Sequence, residues 1–409
     1  MNVRKGADRA LSGTTFHRVP RGVWALGFVS LFMDISSEMI HALLPVFLVT
    51  VLGASTVAVG VIEGVGEATA SISKLFSGWL SDRLGRRKGL IVLGYGLGAL
   101  AKPIFALAPT VGWVFFARVS DRIGKGIRGA PRDALVGDLA ADGQRGAAYG
   151  LRQSLDTVGA FAGPLAAIGL MALFANDFRL VFWLAVLPGA VSVAILVLAV
   201  REPERPAGKG PRPLTIRWAE LARLGAAFWG VVAIATVLTV ARFSEAFLIL
   251  RAEDKGLALA LVPAVLVVMN VVYSLSAYPM GALSDKADKR LVLAGGFLVL
   301  IVADVVLAAA PGIWAVMAGV ALWGLHMGMT QGLLAALVAE TAPEESRGSA
   351  FGLFHLVTGI ALFAASLLAG MLWHWVGPAA AFVGGAVLTA LGLAGIPAIG
   401  PPRGGAPAG

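Results

Sequence analysis

Gly78-Trp79-Leu80-Ser81-Asp82-Arg83-Leu84-Gly85-Arg86-Arg87-Lys88 lies between two long apolar runs, and its reading decides the fold. Arg83, Arg86, Arg87 and Lys88 cannot cross lipid cheaply, so they are expected in a tight cytoplasmic loop between two spanning helices. The glycines allow a sharp turn and close helix approach, and Asp82 can cap a helix or pair with an arginine. A second version, Gly281-Ala282-Leu283-Ser284-Asp285-Lys286 with Lys289 and Arg290, follows about 200 residues later, near half the chain length. One basic loop is commonly a solvated face of a soluble protein. Two at the half-chain offset, each between apolar runs, describe a membrane protein built as a repeat.

Composition agrees. The chain of 409 residues is 58% hydrophobic and 14% charged, too apolar for a soluble fold of this size. Its formal charge of +9 is concentrated in short loops, where it sets membrane topology rather than binding nucleic acid. The absence of cysteine excludes disulfides and thiol chemistry. Residues 1–21 are basic and polar, with no apolar core or cleavage site of a signal peptide.

Twelve apolar spans are predicted, near 22–50, 56–80, 89–108, 111–137, 145–173, 178–200, 222–250, 257–283, 290–309, 312–340, 347–373 and 377–399. Each is about 20 residues or longer, enough to cross a bilayer. Lys and Arg gather before the first span and after the second and sixth, which puts both termini in the cytoplasm. The expectation is an all-α integral membrane protein of twelve transmembrane helices in two six-helix pseudo-symmetric halves. These are 1–200 and 222–409, joined by a Pro- and Arg-rich cytoplasmic linker at 201–221. The repeat also matches Arg145-Gly146-Ala147-Ala148-Tyr149-Gly150-Leu151 with Arg347-Gly348-Ser349-Ala350-Phe351-Gly352-Leu353, and Ser37-Glu38 with Ser244-Glu245. Halves related this way place a substrate site at their interface near mid-membrane.

The loop pattern G-x-x-x-D-R-x-G-R-R-K resembles the signature between helices two and three of the major facilitator superfamily. That resemblance implies a secondary transporter in which spans one, four, seven and ten face a central cavity. It also implies that Gly78, Asp82, Arg83, Gly85 and Arg86 control the conformational change. Span five carries Gly159-Ala160-Phe161-Ala162-Gly163-Pro164, whose G-x-x-x-G-P resembles the antiporter signature of the superfamily and implies export. Read physically, Gly159 and Gly163 permit close helix packing and Pro164 a kink.

The sharpest constellation is Asp34-Ile35-Ser36-Ser37-Glu38-Met39-Ile40-His41 in span one. Asp34, Glu38 and His41 fall within about 60° of one another on a helix. Two carboxylates so placed in a low-dielectric site repel, and one is expected to bind and release a proton in each cycle; permanent neutralisation by an arginine is the plainer alternative. Span four supplies candidate partners in Arg118 and Arg122. Its Arg122-Ile123-Gly124-Lys125-Gly126-Ile127-Arg128 resembles the superfamily's arginine motif, with Lys125 in place of glutamine. In span five Arg152 and Asp156 form an i,i+4 pair, and Gln153 matches His355 of span eleven across the repeat.

Arg242, Glu245, His326 and His355 complete the polar groups expected around the cavity, with Glu63 and Glu67 in span two. His41, His326 and His355 with Glu38 form a transition-metal site only if they converge. Across the repeat, Arg118, Asp121, Arg122, Lys125 and Arg128 fall opposite Val320, Trp323, Gly324, Met327 and Thr330, so proton coupling is assigned to the first half.

The favoured function is a monomeric proton-coupled antiporter of the bacterial inner membrane, exporting a small amphipathic, cationic or metal-type substrate with no cofactor beyond the proton gradient. A proton-coupled symporter of an organic or inorganic anion is the alternative. An integral-membrane enzyme is remote, because no H-E-x-x-H, G-x-S-x-G or phosphate-binding loop occurs.

Overall fold

The computed structural model describes residues 20–84, 86–140, 145–202, 224–284, 286–342 and 347–396. Gly85, the side chain of Asp82, most of the 201–221 linker and the terminal segments lie outside them. Among the described residues there is no strand, and the helices form twelve spans. The first, α1, runs over Arg21–His41 and continues past a break through Leu44–Val46 and a π-helical turn at Phe47–Val51. Then come α2 (Thr56–Leu84), α3 (Lys88–Leu107), α4 (Val111–Leu139), α5 (Arg145–Leu173) and α6 (Phe178–Leu184 with Val186–Ala199). The span α7 is also broken, into Ala226–Ala241 and Ala246–Asp254. After a 3-10 turn at Leu259–Leu261 the chain forms α8 (Ala264–Ser284), α9 (Lys289–Ala309), α10 (Ile313–Thr341), α11 (Arg347–Trp375) and α12 (Pro378–Gly395).

Ten of these spans are long and apolar enough to cross a membrane by composition alone. The other two, α2 and α4, carry more charge, and the structure shows why it is tolerated. Glu63, Arg118, Asp121, Arg122 and Arg128 are all buried inside the bundle, where they meet one another rather than hydrocarbon.

Packing repeats in the two parts of the chain. The pairs α1–α5, α1–α6, α2–α4 and α3–α4 recur as α7–α11, α7–α12, α8–α10 and α9–α10. Even the breaks correspond. The α1 break at Ala42 and Leu43 precedes Pro45, whose ring cannot continue the helix ladder. The α7 break at Arg242–Glu245 contains no proline, and Phe243 within it packs on Phe247, Trp323 and Phe382.

The two parts meet chiefly through α2 against α11, with α5 against α8. Helices alternate in direction, so the ends bearing Arg21, Glu202, Ala226 and Gly395 share one face of the bundle, here the linker side. At the opposite, far side α2 and α11 touch almost backbone to backbone. A β-carbon at Gly60 would lie 2.2 Å from the Ser366 carbonyl oxygen, and one at Gly370 would lie 2.6 Å from that of Thr56. Thr56 Oγ1 donates to the Gly370 carbonyl at 3.2 Å.

The basic loop between α2 and α3 is tied down on the linker side. Glu202, just beyond α6, accepts from the backbone N–H of Arg87 at 2.5 Å and of Lys88 at 3.2 Å. Arg87 Nη1 lies 3.1 Å from Asp138 Oδ2 at the end of α4. Gly78 packs toward Ala130 of α4, whereas Arg83 and Arg86 are exposed. In the second copy, Lys289 pairs with Glu340 of α10.

Candidate functional site

A cavity of about 1050 Å³ lies between the two parts and extends from mid-bundle toward the linker side. Asp34 and Glu38 of α1, Lys74 of α2 and Lys125, Arg128 and Arg132 of α4 line it. Arg152, Gln153 and Asp156 of α5 complete that wall, and Asn270, Tyr273 and Ser274 of α8 with His355 of α11 face it. Leu75, Val158, Phe161, Leu165, Val271 and Leu275 give it apolar surface. The lining helices are therefore α1, α2, α4, α5, α8 and α11. Of the spans that the family resemblance places at the cavity, α1 and α4 contribute to this lining and α7 and α10 do not.

Three expected cavity residues, Arg242, Glu245 and His326, are not among that lining. Arg242 and Glu245 sit partly buried at the α7 break, with Arg242 in the field of Glu245 and of the cavity-lining Tyr273. His326 is fully buried in α10, its Nδ1 2.8 Å from the Gly296 carbonyl of α9. His41 and His355 lie elsewhere, so the histidines do not converge, and among the described residues no three His, Asp or Glu side chains are placed to hold a metal ion. Gln153 and His355 both line the cavity, at equivalent positions of the repeat.

The carboxylates of α1 are placed by the G-x-x-x-G of α5. A β-carbon at Gly159 would lie 2.9 Å from Asp34 Cβ, and one at Gly163 would lie 2.6 Å from Glu38 Cβ. Only glycine lets α5 approach this closely, and Pro164 follows inside the continuous α5 helix. The motif thus sets the wall on which both acids sit.

Behind that wall runs an ion network. His41 Nδ1 is 3.5 Å from Glu38 Oε2, and its Nε2 is 3.6 Å from Glu63 Oε2. The same Glu63 oxygen accepts from Arg118 Nη2 at 2.5 Å. Arg122 lies 3.0 Å from Glu67 and 3.7 Å from Asp121. The sequence offers the carboxylates of α1 as partners for Arg118 and Arg122. Instead α2 supplies the principal ones, because a β-carbon at Gly66 would be only 3.2 Å from the Arg122 side chain and 3.4 Å from that of Arg118. Arg152 does pair with Asp156, as its spacing predicts, and lies 3.1 Å from Asp133 of α4.

Lys102 of α3 was not anticipated. It is 1% exposed, lies 2.7 Å from Asp121 Oδ1 and donates to Ser37 Oγ at 2.9 Å. A lone lysine inside an apolar span was the available signal.

The cavity carries five cationic side chains against three carboxylates. Arg132 and Arg152 pair with Asp133, Arg152 also with Asp156, and Glu38 with His41. Arg128 stacks 4.6 Å over the Tyr95 ring. Lys74, Lys125 and Asp34 form no ion pair among the described residues, and Asp34 sits in the field of Asp156, Arg128, Lys125 and Arg132. The unpaired groups thus carry an excess of positive charge beside an apolar surface.

Comparison with known proteins agrees with this architecture. The Major Facilitator Superfamily profile matches residues 26–271 and 236–408. An uncharacterised MFS-type transporter of Methanocaldococcus jannaschii is 30% identical over 395 residues, covering 94% of this chain and 97% of that protein. The inner membrane transport protein YajR of Escherichia coli is 24% identical over 402 residues, covering 91% and 82%. A bacterial homologue of the human lysosomal transporter Spinster, crystallised inward-facing and occupied, superposes with a TM-score of 0.75 at 16% identity, covering 92% and 96%.

Proposed function

The chain belongs to the Major Facilitator Superfamily, and on that premise we propose that this multi-pass membrane transporter works by alternating access as a proton-coupled carrier of amphipathic organic anions. The linker side is the cytoplasmic side of the cell membrane, in keeping with the Lys and Arg of the α2–α3 loop. The conformation is then inward-facing, with α2 and α11 sealing the outside.

The observation that carries the substrate class is the pair Lys74 and Lys125, which face the cavity beside Leu75, Phe161 and Leu275 and form no ion pair among the described residues, Lys125 lying in the wider field of Glu67, Glu38 and Asp34. An anionic head group near the lysines and an apolar body on that surface match this lining in sign and polarity. Asp34 is the unpaired acid beside them. Protonating it removes a negative charge that opposes the anion, so proton and substrate bind together. The chain Glu38–His41–Glu63, anchored on Arg118, leads inward from the cavity wall, and its two carboxylates and imidazole offer the proton further acceptors. A cation antiporter is the second reading, favoured by Asp34, Glu38 and Asp156 on one wall and by transporters named for multidrug resistance among the relatives. One of these, MdtH of Photorhabdus laumondii, is 29% identical over 162 residues, covering 40% of this chain and 39% of that protein.

The test uses proteoliposomes under an imposed pH gradient and two dyes of matched size, an amphipathic carboxylate and an amphipathic quaternary ammonium. Gradient-driven movement of the carboxylate with its proton supports the proposal. Movement of the ammonium alone, against the proton, overturns it.

A further inference from the structure

Asp304 of α9 is fully buried, and neither of its carboxylate oxygens has a hydrogen-bond partner. It occupies the position in the second repeat that Lys102 holds in the first. Lys102 is neutralised by Asp121, whereas Trp323 stands opposite Asp121 in the repeat, so Asp304 has lost the equivalent partner. An ionised carboxylate buried without a partner costs several kcal/mol. Binding a proton removes that cost.

Its surroundings couple it to the α7 break. A β-carbon at Gly385 of α12 would lie 2.7 Å from Asp304 Oδ2 and 3.0 Å from the Ala241 carbonyl oxygen. The two oxygens thus approach the same point from opposite helices. Ala241 ends the first segment of α7, where a helix leaves carbonyls without intrahelical donors. Arg242 follows directly, in the electrostatic field of Glu245 and Tyr273, and His326 of α10 feels Arg242. No residue of α12 is titratable. None of these groups forms an ion pair with Asp304. One carboxylate and one carbonyl are too few for a metal cation, which needs a shell of several oxygens, but they suffice for a proton.

We infer that Asp304 is a second proton-binding site, loaded in the inward-facing conformation and emptied when α7 moves at its break and brings Arg242 to it. The emptying step rests on the alternating access proposed above; the loaded state does not, and no substrate is needed to observe it.

The test is infrared spectroscopy of the purified full-length protein in lipid at about pH 8, roughly four units above an ordinary aspartate. A protonated-carboxyl C=O band is expected, absent from Asp304→Asn, moved but not lost in Asp304→Glu, kept in Asp34→Asn and insensitive to sodium. It should weaken in Gly60→Val, which disfavours the sealed far side. No such band in the unaltered protein, or an unchanged band in Asp304→Asn, overturns the proton site. A band that Gly60→Val leaves untouched, while the far side demonstrably opens, reduces the proton to a structural one and overturns its part in the cycle.

Discussion

Replacing Gly60 by valine should drive the transporter away from the inward-facing conformation. In that state the new β-carbon would sit 2.2 Å from the Ser366 carbonyl oxygen, more than 1 Å inside ordinary contact, and the obstacle is backbone rather than a side chain that can rotate away. Overpacking of this kind costs about 1–3 kcal/mol. The strain exists only while α2 and α11 are in contact, so it acts as a coupling energy that shifts the conformational equilibrium about 5- to 150-fold.

The natural absence of cysteine makes the assay direct. Ser366→Cys changes one atom at a fully buried position whose hydroxyl has no partner. Reaction of the introduced thiol with a membrane-impermeant maleimide from outside should accelerate by that factor when Gly60→Val is added. Gly96→Val is the control, since nothing lies within 4 Å of a β-carbon there. An unchanged labelling rate of the Ser366→Cys thiol in folded Gly60→Val protein would refute the view that this contact is the outer seal.

Glu63→Gln strands Arg118 in the bundle interior and should lower stability by about 3–5 kcal/mol, read as a lower melting temperature. The double change Glu63→Leu with Arg118→Met should recover most of that stability but not gradient-driven transport; recovery of both would make the pair purely structural. Lys125→Met should weaken binding of the carboxylate dye roughly tenfold, the loss of one charge-assisted contact in a wet cavity, and leave the ammonium dye unaffected. An equal loss for both dyes would point to a distorted cavity instead.

Much of the architecture is legible in the residues because lipid imposes simple demands. Long apolar runs and basic loops predict twelve spans, and the spans of the structure begin and end within about four residues of them, except that α8 starts at Ala264, seven residues into the predicted 257–283 and after a 3-10 turn. The site is less so. The i,i+4 spacing of Arg152 and Asp156 declares a pair within one helix, but nothing in the sequence declares that Arg118 meets Glu63, since that depends on how closely α2 approaches α4 at Gly66. Placing α7 and α10 at the cavity followed family resemblance. In the second half the lining residues come from α8 and α11, while Phe243 packs on aromatic neighbours and His326 is buried against α9. Lys102 and Asp304 were open to discovery, as single charges inside apolar spans at the offset the repeat already supplied.

The central claim is that proton and organic anion bind together in the cavity, and the affinity of the carboxylate dye as a function of pH tests it most directly. Ionised Asp34 opposes the anion beside Lys125, and its protonation removes that opposition. Binding measured at equal pH on both sides should therefore tighten as pH falls from about 8 to about 5.5, across the range where buried carboxylates and histidine titrate, and the dependence should flatten in Asp34→Asn. Binding of the carboxylate that weakens in acid, with the ammonium dye competing against protons instead, would contradict the account and establish the cation antiporter in its place.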